Sequence, residues 1–305
     1  MRRINKNQLK NIESYIMENG RTIEKAKWNY TFNAGDKDAI ISELLKYQNS
    51  DGGFGKGLEA DILMPYSSSI ASTEAIFIAY EYELNCKESW FKNLLNYFEN
   101  TIEDETIICS FWEKVSGKVE EYPHASWWNY SEETRFTPNP CAVVASAFLK
   151  YGSESQKSLG HKIAERCIKF LNSDEPCYDH DCYCLQTLIK VLQEIHSDLI
   201  THTTILHMNR RILGCLCTDT EKWMEYVAQP LDLVASPDSQ WYKLVEPYIE
   251  ENINFWLHSL NEEGYWQPNF SWGVDSEISR EVTKIWRCYI SVKRARILKA
   301  FKNNL

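Results

Sequence analysis

Glycine and proline are scarce, at 12 and 9 in 305 residues. Both punctuate turns and irregular chain, so their scarcity argues against a loop-rich architecture and leans towards helices. No window approaches the roughly 18 consecutive apolar residues of a transmembrane helix, so no integral membrane segment is expected. The opening "MRRINKNQLKNIESYIMENG" carries charges throughout and lacks the apolar stretch of a signal peptide. Without such a signal, the ten cysteines read as reduced thiols of a cytoplasmic protein rather than a disulfide framework. A basic stripe is missing too, with a net charge of −10 and a pI of about 5.3. Nucleic-acid binding draws on clustered Lys and Arg to displace counterions, so no nucleic-acid partner is expected. The densest basic run, "KRARILKAFK" near the C-terminus, has helical spacing and reads as the solvated face of a last helix.

What is present is a chain 44% hydrophobic and 25% charged, the profile of a globular protein with a sizeable core. Aromatics reach 13%, with 11 Trp and 17 Tyr. The hydrophobic spacing is helical nearly throughout, and no run alternates as a strand does. Residues 38–48, "DAIISELLKYQ", place Ile40, Ile41, Leu44, Leu45 and Gln48 on one face. Apolar helices are predicted at 68–84 behind a serine cap, and at 139–152, with Pro140 at its start and Gly152 at its stop. Two more are predicted at 181–195 and 279–301. Amphipathic segments at 88–100, 156–172, 203–216 and 242–261 lie between them. Helical hairpins in a ring or a stack produce this alternation, one helix half-exposed and its partner inside.

An internal repeat supports the hairpin reading. "LLKYQNSDGGFG" (44–55) has a copy at "WLHSLNEEGYWQ" (256–267), matching Gln48 with Leu260, Gly52 with Gly264 and Phe54 with Trp266. A weaker copy is "KFLNSDEPCYDH" (169–180), with Leu171 and Tyr178 near the equivalent positions, and degenerate versions lie near Tyr97 and Leu213. Gln48, Gly52 and Phe54, spaced as Gln, three residues, Gly, one residue, aromatic, resemble the QW repeat of terpenoid cyclases. Protein prenyltransferase β subunits share the wider repeat. "DGGFGKGLEADILMP", "YPHASWW" (122–128) and "EGYWQPNFSWG" resemble a short bacterial branch of that superfamily. The resemblance implies an all-α fold, an α/α toroid with inner and outer helix rings around a central cavity, spanning 1–305 as one domain. It also implies that "YQNSDGGFGKG" is a structural clasp. A phosphate-binding loop would want a Lys followed by Ser or Thr.

Two carboxylates follow the clasp, Glu59 and Asp61. Beside an apolar cavity such groups suit general acid chemistry. Their plainer reading is as ligands of loop amides or helix caps. His124 stands beside Trp127 and Trp128 and suits a base or a hydrogen-bond anchor. Asp275, with Phe270 and Trp272, stands before the last helix, where Asp275 or Ser276 would also serve as its cap. Trp127, Trp128, Phe270 and Trp272 are candidate substrate contacts. Neighbouring tryptophans point apart, so both of the first pair cannot enter one core face.

The acid motif D-x-D-D and the metal–diphosphate motif D-D-x-x-D of terpene cyclases are both absent; the nearest string is Asp179-His180-Asp181. Cyclisation chemistry therefore does not transfer residue by residue. "YDHDCYCLQTL" is similar to the prenyltransferase segment whose His binds zinc, which would pair His180 with Cys141 of Asn139-Pro140-Cys141. An amide replaces the family's carboxylate there. The expectation is no metal, with Cys141, Cys182 and Cys184 as buried apolar residues. Three functions remain open: an enzyme or binder of an isoprenoid-like apolar small molecule, a carbohydrate-active (α/α) barrel using paired carboxylates, and a non-catalytic scaffold.

Overall fold

A computed structural model describes residues 4–102, 116–131 and 136–301. Among the described residues the chain forms twelve α-helices and no strand, in agreement with the all-α expectation. In chain order these are α1 (Lys6–Asn19), α2 (Thr22–Phe32), α3 (Lys37–Leu44), α4 (Ser69–Glu81), α5 (Ser89–Asn100) and α6 (Pro138–Tyr151). They continue as α7 (Glu154–Leu171), α8 (Asp179–Glu194), α9 (His202–Cys215), α10 (Pro230–Leu233), α11 (Tyr242–Ser259) and α12 (Glu277–Ala300). The predicted apolar helices emerge as α4, α6, α8 and α12. The helix expected over 38–48 stops at Leu44 and tightens into a 3-10 turn, Leu45–Tyr47. None of the described helices is long and apolar enough to cross a membrane.

Contacts divide the chain into two compact units, Leu44–Gly214 and a second made of Met1–Glu43 with Cys215–Leu305. In the Leu44–Gly214 unit, α6 is the centre: it packs on α4, α5, α7 and α8. Every α6 residue from Pro140 to Leu149 is buried, so the helix is apolar all round, as an enclosed helix must be. The neighbouring α5 buries only Trp90, Phe91, Leu94, Leu95 and Phe98, one face at helical spacing. A capping box, Ser153 with Gln156, starts α7. The same Gln156 amide donates to Asn96 Oδ1 at 3.0 Å and Glu99 Oε2 at 2.8 Å, pinning the start of α7 to α5.

In the other unit α12 packs on α1 and α2, which pack on each other, and α10 packs on α11. Ser276 caps α12, its hydroxyl accepting from Ser279 N. The cap is thus Ser276 and leaves Asp275 free for another role.

The two best copies of the repeat fold alike. Gly52 (φ +91°) donates its N–H to Asn49 O at 3.0 Å, and Gly264 (φ +94°) donates to Asn261 O at 2.9 Å. Each glycine lies against a helix backbone: a Cβ would stand 2.2 Å from Asn93 O in the first copy and 2.2 Å from Asn11 C in the second. Two residues on, a fully buried ring follows, Phe54 or Trp266. Its backbone N–H donates to a helix serine, Phe54 N to Ser72 Oγ at 2.9 Å and Trp266 N to Ser291 Oγ at 3.2 Å. Gln48 donates to two carbonyls, Gly52 O and Trp90 O, both at 2.9 Å. It therefore clasps α5 to the loop through hydrogen bonds to backbone.

Gly264→Ala should cost about 3 kcal/mol, because both the positive φ and the Asn11 backbone oppose a side chain. Gly214→Ala should change stability by less than about 1 kcal/mol, since nothing lies within 4 Å of that site. Urea denaturation of both variants measures the difference, and equal midpoints would remove the close-approach argument.

Candidate functional site

Five of the eight predicted site residues fall in the Leu44–Gly214 unit, on two segments, 59–63 and 123–128, that are joined by backbone hydrogen bonds. Leu63 N donates to Pro123 O and Ala125 N to Asp61 O, both at 3.0 Å, and Ile62 bridges His124 in antiparallel register. Asp61 and His124 are thus placed on adjacent backbone. Asp61 is 3% exposed, while Glu59 is half-buried and accepts the Asp61 N–H at 3.4 Å through Oε1. Glu59 has the loop-amide role that was its plainer reading.

His124 is anchored at both ring nitrogens. Nδ1 stands 2.7 Å from Tyr122 O, and a carbonyl only accepts, so the proton is on Nδ1. In the neutral ring Nε2 then accepts, which calls for the Asn129 amide at 3.1 Å to present its NH2 group. When protonated, Nε2 donates to Asn129 and faces Glu120 at 3.9 Å. Trp128 packs on a small core of Ile62, Met64 and Val119, whereas Trp127 is 46% exposed. The pair divides as adjacent tryptophans must. Tyr66 and Tyr130 are also exposed, and Tyr66 meets Tyr122 edge-on at 6.0 Å. The carboxylate nearest His124 is therefore Glu120, which the spacing of "YPHASWW" did not signal.

The other three residues belong to the second unit. Phe270 meets Trp286 edge-on at 5.1 Å and Tyr226 at 5.9 Å, and Trp286 meets Tyr289 at 5.2 Å. These four rings form a row, with the buried Lys27 ammonium 4.8 Å from the Tyr289 centroid. Trp272 is half-buried. Asp275 stands outside the row, 84% exposed and ion-paired to Arg280 at 2.5 Å. A separate groove of about 560 Å³ lies among Asn11, Ser14, Glu18, Glu262 and Lys284. Its polar lining makes it a poor seat for an apolar ligand.

The basic run of α12 is less solvated than its spacing suggests. Lys299 is exposed, but Arg294 and Arg296 are half-buried. Arg287 lies 4.3 Å over the Tyr265 ring, and Arg294 lies 4.6 Å over Trp256 and 6.0 Å over Trp266. A signal was present: Arg287 and Arg294 are seven residues apart, on one helix face with Ser291 between them.

Cys141 and His180, the pair that a prenyltransferase-like zinc site would use, lie in different surroundings. Cys141 is fully buried on α6, and His180 is exposed at the start of α8, its ring edge-on to Tyr183 at 5.8 Å. Burial first, then neighbouring negative charge, raises the Cys167 and Cys184 thiols well above their ordinary value. Cys184 donates its S–H towards Asn139 Oδ1 at 3.6 Å. The nearby Asp181 carboxylate is occupied by Tyr178 N at 3.0 Å and Asn139 N at 3.2 Å.

Comparison with protein-family models, curated proteins and solved structures gave no match.

The two aspartates should separate cleanly on substitution. Asp61→Ala removes a buried carboxylate and should cost about 2 kcal/mol or more. Asp275→Ala should fall within about 0.5 kcal/mol of the parent, because its ion pair is exposed. Thermal melts of both variants test this, and a reversed order would overturn it.

Proposed function

We propose that the protein binds an isoprenoid or similar apolar small molecule, as an enzyme or binder of the terpenoid cyclase and prenyltransferase type, on a toroid of helical hairpins. The observation that carries this reading is the row Tyr226, Phe270, Trp286 and Tyr289, four half-buried or exposed rings in edge-to-face contact. Such a surface offers apolar area with fixed geometry. Its faces would also stabilise a carbocation during isoprenoid chemistry. The toroid arrangement is supported by the packing of α6, which touches α4 and α8, each two helices away in sequence, as well as its neighbours α5 and α7. Inner helices of a ring of hairpins make such contacts. The fully buried α6 beside the one-faced α5 fits the same assignment.

A second reading rests on the exposed rings of Trp127, Tyr66 and Tyr130 near His124 and Glu120. Exposed aromatic faces beside a carboxylate suit stacking on a sugar ring, so a carbohydrate ligand is the alternative.

Tryptophan fluorescence titration with farnesol, and separately with maltohexaose, discriminates between them. Farnesol should bind, and Phe270→Ala should weaken it by about tenfold or more through lost apolar contact. Farnesol binding that Phe270→Ala leaves unchanged would overturn the role of the ring row. Maltohexaose binding abolished by Trp127→Ala would establish the second reading.

A further inference from the structure

Arg294 is a cation whose donors are unspent. Among the described residues its interactions are the π faces of Trp256 and Trp266 and a through-space attraction to Asp232. A guanidinium carries five N–H donors in a planar fork, and no hydrogen bond or ion pair engages them there. The two tryptophans are fully buried and have nothing but their faces to offer. Trp256 Nε1 donates to Gln229 Oε1 at 2.7 Å, and Trp266 Nε1 donates to Trp256 O at 2.7 Å. Asp232 is committed to the start of α10, its Oδ2 accepting from Gln229 N at 3.3 Å.

Burial lowers the Arg294 pKa to about 10, which leaves it charged at neutral pH. The side chain nonetheless keeps reachable surface. The guanidinium is thus held against two ring faces, while the residue as a whole is half-buried rather than enclosed. A desolvated, fixed guanidinium is a strong receptor for a planar anion, which it takes through two parallel hydrogen bonds.

We propose that Arg294 binds the carboxylate of an amphipathic acid whose apolar body lies along the aromatic row, an assignment that rests on the apolar-ligand reading above. Trp286 and Arg294 are eight residues apart on α12, a rise of about 12 Å with about 80° of rotation between them. A chain of ten or more carbons spans that distance. One guanidinium, with the negative Asp232 nearby, balances one negative charge better than two, so the head group is a carboxylate rather than a phosphate.

Calorimetric titration of the full chain with dodecanoate, dodecyl phosphate, dodecanol and acetate tests this. The parent protein should bind dodecanoate at least about tenfold more tightly than dodecanol, the value of a charge-assisted bidentate contact. Arg294→Gln should erase that preference while dodecanol still binds, and Arg294→Lys should retain only part of it, keeping the charge without the fork. The acid-to-alcohol ratio in the parent needs no variant, so a poorly folding substitution does not blunt the test. Dodecanol binding with no preference for the acid would overturn this site and leave the apolar reading standing. Acetate binding that Arg294→Gln abolishes, with no dodecanol binding, would uphold the anion site and remove the apolar reading. Tighter binding of dodecyl phosphate than of dodecanoate would overturn the carboxylate assignment.

Discussion

A backbone N–H held under a buried ring has no water to bond, so an acceptor has to be built for it. The fold meets this demand twice in the same way. Phe54 and Trp266 follow a positive-φ glycine by two residues, are fully buried, and give their N–H to Ser72 and Ser291, both 0% exposed. A serine hydroxyl in a helix interior reaches only what its own turn faces. Each bond therefore sets where a loop meets a helix: the 48–55 loop on α4, and the 260–267 loop on α12. Slipping either helix by one residue would turn its serine away by about 100° and leave a buried donor unpaired.

That register reaches the candidate sites. In the Leu44–Gly214 unit the loop fixed at Phe54 continues directly into Glu59 and Asp61, whose backbone pairs with the His124 segment. In the other unit Ser291 lies between Arg287 and Arg294 on α12, so the bond holding Trp266 also aims both guanidinium groups at rings. Tyr265 receives one and Trp266 with Trp256 the other. The chain positions its unusual polar groups with the same bonds that close its repeats.

Much of the helical layout was legible because its cause is local. Apolar residues at 3-4 spacing, Ser68 and Ser276 as caps, and Gly152 as a stop are short-range signals, and the structure uses each of them. The Gly52–Phe54 and Gly264–Trp266 pairs were also readable, since a φ near +90° with a helix backbone in close approach favours glycine. The site was less so, because its deciding partners are distant in sequence or ambiguous in type. Asp275 stands near Phe270 and Trp272 in sequence, and its carboxylate faces Arg280 in solvent, a pairing that the residue spacing did not signal. Arg294 read as solvated because its run is basic. The packing of Trp256, 38 residues earlier, shows that this helix face is inward. Glu120 came near His124 through a turn that hydrophobic periodicity does not encode.

The enclosure of Arg294 bears on what the protein is for. Removing a guanidinium from water costs several kcal/mol even after the protein relaxes, and two ring faces return only about 0.5–2 kcal/mol each. Nothing in the packing alone requires that expense: a Leu or Met there would fill the space beside Trp256 and Trp266 without it. The chain carries ten excess negative charges, so carboxylates to neutralise the cation are plentiful, but among the described residues none forms an ion pair with it. Asp232, the acid that acts on it, is occupied at the start of α10. A site that holds a charge, desolvates it and pairs it with no carboxylate among the described residues is poorly explained as a stabilising feature. It is well explained as a binding site whose counter-charge arrives with the ligand.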